Sequence, residues 1–168
     1  MLKVFCSILL LFFLGITAIG QCGAPPEEFY LVEKEDYKVH EELCFRLMNC
    51  LVLRPSEFTM EETGEAQAFC LIWLGGTPDY TVEVSTKSAL FLDERPDYFY
   101  TYVFAMALVE KDFPQYSALQ KEAEALNLLS QHEKSRFGEN QLKIMKKVDK
   151  LYQKGKLESF LEKQKVKS

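Results

Sequence analysis

Residues 37–53 read YKVHEELCFRLMNCLVL, and residues 58–74 read FTMEETGEAQAFCLIWL. In the first stretch His40, Cys44, Leu47, Met48 and Leu51 recur at helical steps, while Lys38, Glu41, Glu42 and Arg46 fall off that face. This is the pattern of an amphipathic helix with one buried stripe. Arg54-Pro55-Ser56 ends it, because the residue before proline leaves the helical region. The second stretch opens with Thr59 and Glu62 at capping-box spacing and turns apolar all round from Ala68 to Leu74. A helix end without a polar side belongs in a core. Gly75-Gly76-Thr77-Pro78 is then a stop and a turn. Two such helices across a short link predict an antiparallel hairpin.

The hairpin orders the cysteines. Cys44 and Cys50 lie six residues apart on one helix, or about 9 Å along its axis at ~1.5 Å per residue. A disulfide needs Cα atoms within about 7 Å, so these two do not pair. In the hairpin, facing positions sum to roughly 111, which sets Cys70 near residue 41, closer to Cys44 than to Cys50. The expected bridges are therefore Cys44–Cys70 and Cys22–Cys50, the second laying an extended arm (21–36, with Pro25-Pro26) along the first helix.

Outward from the hairpin the chain stays helical. Residues 80–93 are ambiguous, with strand-like alternation over Tyr80–Val84, and a short helix is favoured. Tyr98 to Val109 is apolar or aromatic at every position but Thr101 and is expected at the centre of the core. Its Tyr98, Tyr100 and Tyr102 alternate like a strand; Ala-Met-Ala-Leu at its end favours helix. Pro114 suits a first helical turn, and Tyr116, Leu119, Ala123, Leu126 and Leu129 carry a stripe to about residue 131. Leu142, Met145, Val148, Leu151 and Tyr152 mark a helix at 138–153, and Gly155 separates it from a last short one with Leu157, Phe160 and Leu161. The fold class read from this is all-α, a small disulfide-stapled bundle of about five to seven helices.

The first 20 residues are a different material. One lysine, Lys3, precedes an apolar run from Val4 to Leu14, and Ala18 and Gly20 take the small-residue positions before Gln21. That is the pattern of a secretory signal peptide, too short in its apolar core for a membrane span. The expected product is a single secreted, extracellular domain, 21–168, that matures where disulfides form. Cys6 leaves with the leader, and the four remaining cysteines are an even set for two bridges. No Asn-x-Ser/Thr sequon occurs.

Charge is divided along the chain. Residues 21–133 carry a net −13, whereas residues 134–168 carry +7. The basic segment includes Lys143, Lys146, Lys147 and Lys150 on one predicted helix and Lys154 and Lys156 just after it, with Arg136 upstream. The apolar stripe of the same helix predicts that it docks on the acidic body and that the chain frays beyond about Phe160. The outward lysines are a candidate partner-binding face, toward heparin-like glycans or an acidic protein surface. The strongly acidic body argues against an anionic membrane, and no nucleic-acid partner is expected.

Sites for chemistry are scarce. The histidines are His40 and His132. No Gly-x-Ser-x-Gly, phosphate loop or calcium loop is present. His40-Glu41-Glu42-Leu43-Cys44 has metal-pair spacing only, and a bridged cysteine cannot ligate. Asp93, Glu94 and Asp97 read as a solvated turn. No enzyme activity, catalytic residue, metal or cofactor is expected. The aromatic residues Phe69, Trp73, Tyr98, Tyr100, Tyr102 and Phe104 either pack as core or line an apolar cavity between helices.

A leader, a helical body and helix-to-helix bridges at Cys22, Cys44, Cys50 and Cys70 resemble, in outline, the small secreted salivary proteins of blood-feeding insects, the inhibitors of anophensin and albicin kind. More distantly they resemble the odorant-binding-like carriers, whose second and third cysteines enclose three residues where Cys44 and Cys50 enclose five. The first resemblance implies a monomeric salivary inhibitor acting on an extracellular protein. The second implies a carrier of a small hydrophobic ligand.

Overall fold

A computed structural model of the chain describes residues 22–84 and 95–166. The expected leader, 1–20, and most of the ambiguous 80–93 segment lie outside the described residues. Six α-helices and three short 3₁₀ turns make up the described part, with no strand in it. The helices are α1 (Lys34–Leu53), α2 (Met60–Gly76), α3 (Phe99–Asp112), α4 (Ala118–Phe137), α5 (Lys143–Gln153) and α6 (Leu157–Val166). The protein is all-α, a disulfide-stapled bundle within the expected helix number.

Three of the six helices start at a capping box. The α2 box forms as spaced: Thr59 Oγ1 accepts from the Glu62 amide at 3.2 Å, and Glu62 Oε2 accepts from the Thr59 amide at 2.7 Å. Helix α1 begins a turn earlier than expected, because Glu33 and Asp36 form a second box in which Asp36 accepts from the Val32 and Glu33 amides. Helix α4 begins at a third box, Ser117 with Gln120, and Pro114 sits in the turn before it rather than in its first turn. Helix α4 also runs past residue 131 to Phe137, where Gly138 takes a φ of +54° and ends it. The Tyr98–Val109 segment is helical from Phe99 onward, entered through a 3₁₀ turn at Pro96–Tyr98. Tyr80–Val84 is neither helix nor strand. Its Tyr80 ring packs on Phe45 and Trp73, and its hydroxyl donates to Glu41 at 2.8 Å.

Helices α1 and α2 form the hairpin, and α1 also packs on α3 and α4. Helix α4 is the hub of the rest, in contact with α1, α3, α5 and α6. Between them lies a core holding Trp73, Tyr102, Phe104, Leu47, Met48, Leu129 and Met145. The Cys22–Cys50 bridge is present, with Cα atoms 5.8 Å apart, and ties the N-terminal arm to α1. The second expected bridge is not closed. Cys44 and Cys70 are buried neighbours across the hairpin, and both are thiols. The Cys70 thiol donates to the Cys44 carbonyl at 3.7 Å, so the register was right while the bond is not formed.

The basic C-terminal region is docked. Met145, Val148, Leu157 and Leu161 are buried, and Leu142, Leu151, Tyr152 and Phe160 pack at the core's edge. Polar bonds fix the seam: Ser130 Oγ donates to the Met145 carbonyl, the Leu142 amide donates to Glu133 Oε1, and the Tyr152 hydroxyl donates to the Glu124 carboxylate. Contrary to fraying beyond Phe160, α6 continues to Val166 with Leu161 buried beneath it. Gly155, at φ +62°, turns the chain between α5 and α6. No helix among the described residues is long and apolar enough to cross a membrane.

Candidate functional site

The α5 helix has two unlike sides. Its sequence KIMKKVDKLYQ puts Met145 and Val148 into the core. Helical periodicity then sends Lys143, Lys146, Lys147 and Lys150, with Lys154 just after the helix, to solvent, where all five are exposed. None of the five is ion-paired among the described residues; the ion pairs present there are Lys34–Asp79, Arg54–Glu57, Arg95–Asp97 and Lys121–Glu110. Lys147 Nζ lies 4.2 Å above the Phe160 ring, and Lys146 donates to the Glu139 carbonyl. The five lysines form an exposed basic surface without a carboxylate partner among the described residues, Lys146 and Lys147 keeping these two local contacts.

The aromatic residues divide. Phe69, Trp73, Tyr102 and Phe104 are core residues, and Tyr98 is 1% exposed while Tyr100 is 45% exposed. Phe69 takes the edges of Phe29 and His40, and Trp73 takes Phe45 and Tyr80. The six do not surround one cavity. Tyr98 and Tyr100 instead reach a cleft of about 710 Å³ that the sequence reading did not foresee. It lies where the end of α1, the Pro55–Glu57 turn and the start of α2 face the start of α3 and the end of α4. A smaller cavity, about 490 Å³, lies at Tyr102, Met106 and the Lys121–Glu110 pair.

The floor of the larger cleft is polar and buried. His132, 3% exposed, is held through Nδ1 by the Val52 carbonyl at 2.9 Å. A carbonyl only accepts, so Nδ1 carries the proton and Nε2 is a bare acceptor. Burial holds the His132 pKa below its ordinary value against the Val52 bond, and the Arg136 and Arg95 charges push the same way. Tyr98 meets His132 edge to face, with ring centroids 5.5 Å apart. Burial, then the Glu133 charge, push the Tyr98 hydroxyl up to about 12, so it stays protonated. Arg95, clamped by Asp97 through two bonds of 2.9 and 2.7 Å, lies over the Tyr98 ring at 4.3 Å. The Tyr98 hydroxyl, His132 Nε2 and Glu133 Oε2 are buried and hydrogen-bond to no group among the described residues.

Sequence reasoning named His132, Asp97, Tyr98 and Tyr100 for separate reasons and did not join them. One signal was there: His132 and Arg136 follow Leu129, the last residue of the α4 stripe, at helical steps. Among the described residues one grouping has metal-ligand proximity, Cys22 with Cys50 and Glu57, but both sulfurs are spent in the bridge. His40 lies against Phe69, away from the cleft. Set against protein-family models, curated proteins and solved structures, the chain matches none.

Proposed function

We propose that the chain is a secreted, non-enzymatic binding protein that acts on an extracellular protein partner through the basic face of α5. The observation that carries this reading is the exposure of Lys143, Lys146, Lys147, Lys150 and Lys154, without an ion-pair partner among the described residues, on a helix whose other side is locked into the core. A rigid helix fixes the spacing of its charges, and a fixed cationic array selects an acidic surface of matching spacing. The leader-like first 20 residues and the Cys22–Cys50 bridge support an extracellular setting. The acidic remainder of the chain works against general adhesion to polyanions.

The test is capture from extracellular fluid by the native chain beside a Lys143→Glu/Lys147→Glu/Lys150→Glu variant. The expected result is a protein retained by the native chain at low salt, released as salt rises, and absent from the variant. Equal recovery by both, or a lipid or amine in place of a protein, would sink the reading.

A further inference from the structure

The polar floor of the cleft has a chemistry that neither the fold nor the basic face uses. Buried polar atoms are nearly always hydrogen-bonded, because stripping water from them without a replacement costs free energy. Here two residues of one cleft keep such atoms. His132 Nε2 accepts and does not donate, since the Val52 carbonyl fixes the proton on Nδ1. The Tyr98 hydroxyl donates and accepts. The surroundings are mixed, with Ser56, Thr63, Gln67, Thr101 and Ser135 on the lining beside an apolar part, and the charges around them balance. Leu51, Phe58, Met60 and Tyr100 form apolar wall, with Met60 93% exposed at the rim. The nearby charges are Arg95 and Arg136 against Asp97 and Glu133, so the site has no net sign to attract an ion.

We infer that this cleft is a binding site for a neutral, largely apolar small molecule bearing one hydroxyl on an aromatic or fused-ring frame. The hydroxyl donates to His132 Nε2 and accepts from Tyr98, which completes both orphaned groups in one step. The frame lies against Leu51, Phe58 and Met60. An ether or ketone of the same shape cannot donate, and leaves His132 Nε2 unpaired. A carboxylate has no proton to give His132 Nε2, and an ion of either sign gives up its hydration at a site where two guanidinium groups balance two carboxylates. The volume is in the range of pockets that take drug-sized ligands. Both polar atoms are themselves buried although their residues line the cleft, so a ligand reaches them only as lining side chains move, of which Tyr100 and Arg136 are exposed. The site is remote in the chain from the α5 lysines, and its failure would leave the basic-face reading standing.

The test uses the native chain with 2-naphthol and its methyl ether, 2-methoxynaphthalene, as probes. The two share an apolar frame and differ in the donated proton. The expected result is binding of 2-naphthol about tenfold tighter than the ether, the size of one hydrogen bond. In ¹⁵N-labelled protein, 2-naphthol shifts the His132 Nε2 resonance and the ether does not. Tyr98→Phe weakens both probes by several-fold, since either oxygen accepts from the phenol, and leaves the preference that rests on His132 nearly unchanged. Should that variant fold poorly, the His132 resonance of the native chain decides alone. Equal affinity for both probes, no saturable binding of either, or an unmoved His132 Nε2 signal overturns the proposal. The last outcome is the one an internal water satisfying both groups would give.

Discussion

The Trp73 indole donates to the backbone carbonyl of Tyr37 at 2.7 Å, joining the last turns of α2 to the first turns of α1. The Tyr37 hydroxyl reaches back to the Leu31 carbonyl at 3.1 Å and lies directly over Gly76. A methyl at Gly76 meets that hydroxyl and the ring carbons behind it, whereas a methyl at Gly75 meets nothing. Gly76→Ala is therefore expected to destabilise by about 1–3 kcal/mol through overpacking. Gly75→Ala is expected to be neutral or to stabilise by up to about 1 kcal/mol, the helix preference of alanine over glycine. Thermal melts of the two single variants check the contrast, and similar shifts in both would refute it.

Stability is expected to fall as pH drops through about 6.5, the ordinary histidine value, because the unfolded chain takes up a proton on His132 that the folded chain refuses. Burial and the Arg136 and Arg95 cations disfavour the charged imidazole and outweigh the Val52 and Leu51 carbonyls, which favour it. The cap carboxylates Asp36 and Glu62 are shifted the other way, below 3.8 and 4.5 by their backbone bonds, so their contribution is lost only in stronger acid. Urea midpoints between pH 8 and pH 5 should fall with acid, in a step that His132→Gln flattens. A native chain with a level profile across that window would contradict the lowered pKa of His132.

Truncation after Phe137 removes Met145, Val148, Leu157 and Leu161 from the core and strips Glu133 of its Leu142 amide. Each buried aliphatic side chain is worth about 1.5–3 kcal/mol. At roughly 2–4 °C per kcal/mol for a chain of this size, the melting midpoint should drop by at least about 10 °C. An unaltered midpoint would show that the basic helices are an appended arm.

The thiols of Cys44 and Cys70 are sealed in the hairpin. The Cys44 thiol is pushed strongly up by its hydrogen bond with Cys70 and then by burial, which leaves almost no thiolate to react. A thiol reagent should therefore leave the folded chain from Gln21 onward untouched and modify two groups on unfolding. An intact mass lower by two further hydrogens, with no reactive thiol after unfolding, would show instead that the pair closes.

Much of this architecture was legible because its signals are local. Thr59 and Glu62 state a helix start within four residues, and Gly155 states a stop alone. The Cys22–Cys50 bridge followed from the hairpin once helix geometry excluded Cys44–Cys50. The Ser117–Gln120 box was equally local, but Pro114 offered a competing start and the amide-for-carboxylate version is easier to pass over. The far end of α4 was illegible for another reason. His132 and Glu133 are polar, so they read as the helix leaving the core, yet both are buried because Val52 and Leu142 supply their partners. Those partners come from other helices. The cleft shares that origin: Pro55, Met60, Tyr98 and His132 are joined only when four helices meet.

The bond from His132 to Val52 spans 80 residues of chain, while the α1–α2 hairpin and the α4–α5–α6 group are each built from near neighbours. Closing a loop of that length costs entropy before any contact across it is gained, whereas short links close almost freely. The two groups are thus expected to assemble separately and to meet late, with α3 carried between them. In kinetic terms the seam at His132 lies on the native side of the folding barrier. Loosening it speeds the opening of the folded molecule and leaves the rate of its formation nearly unchanged.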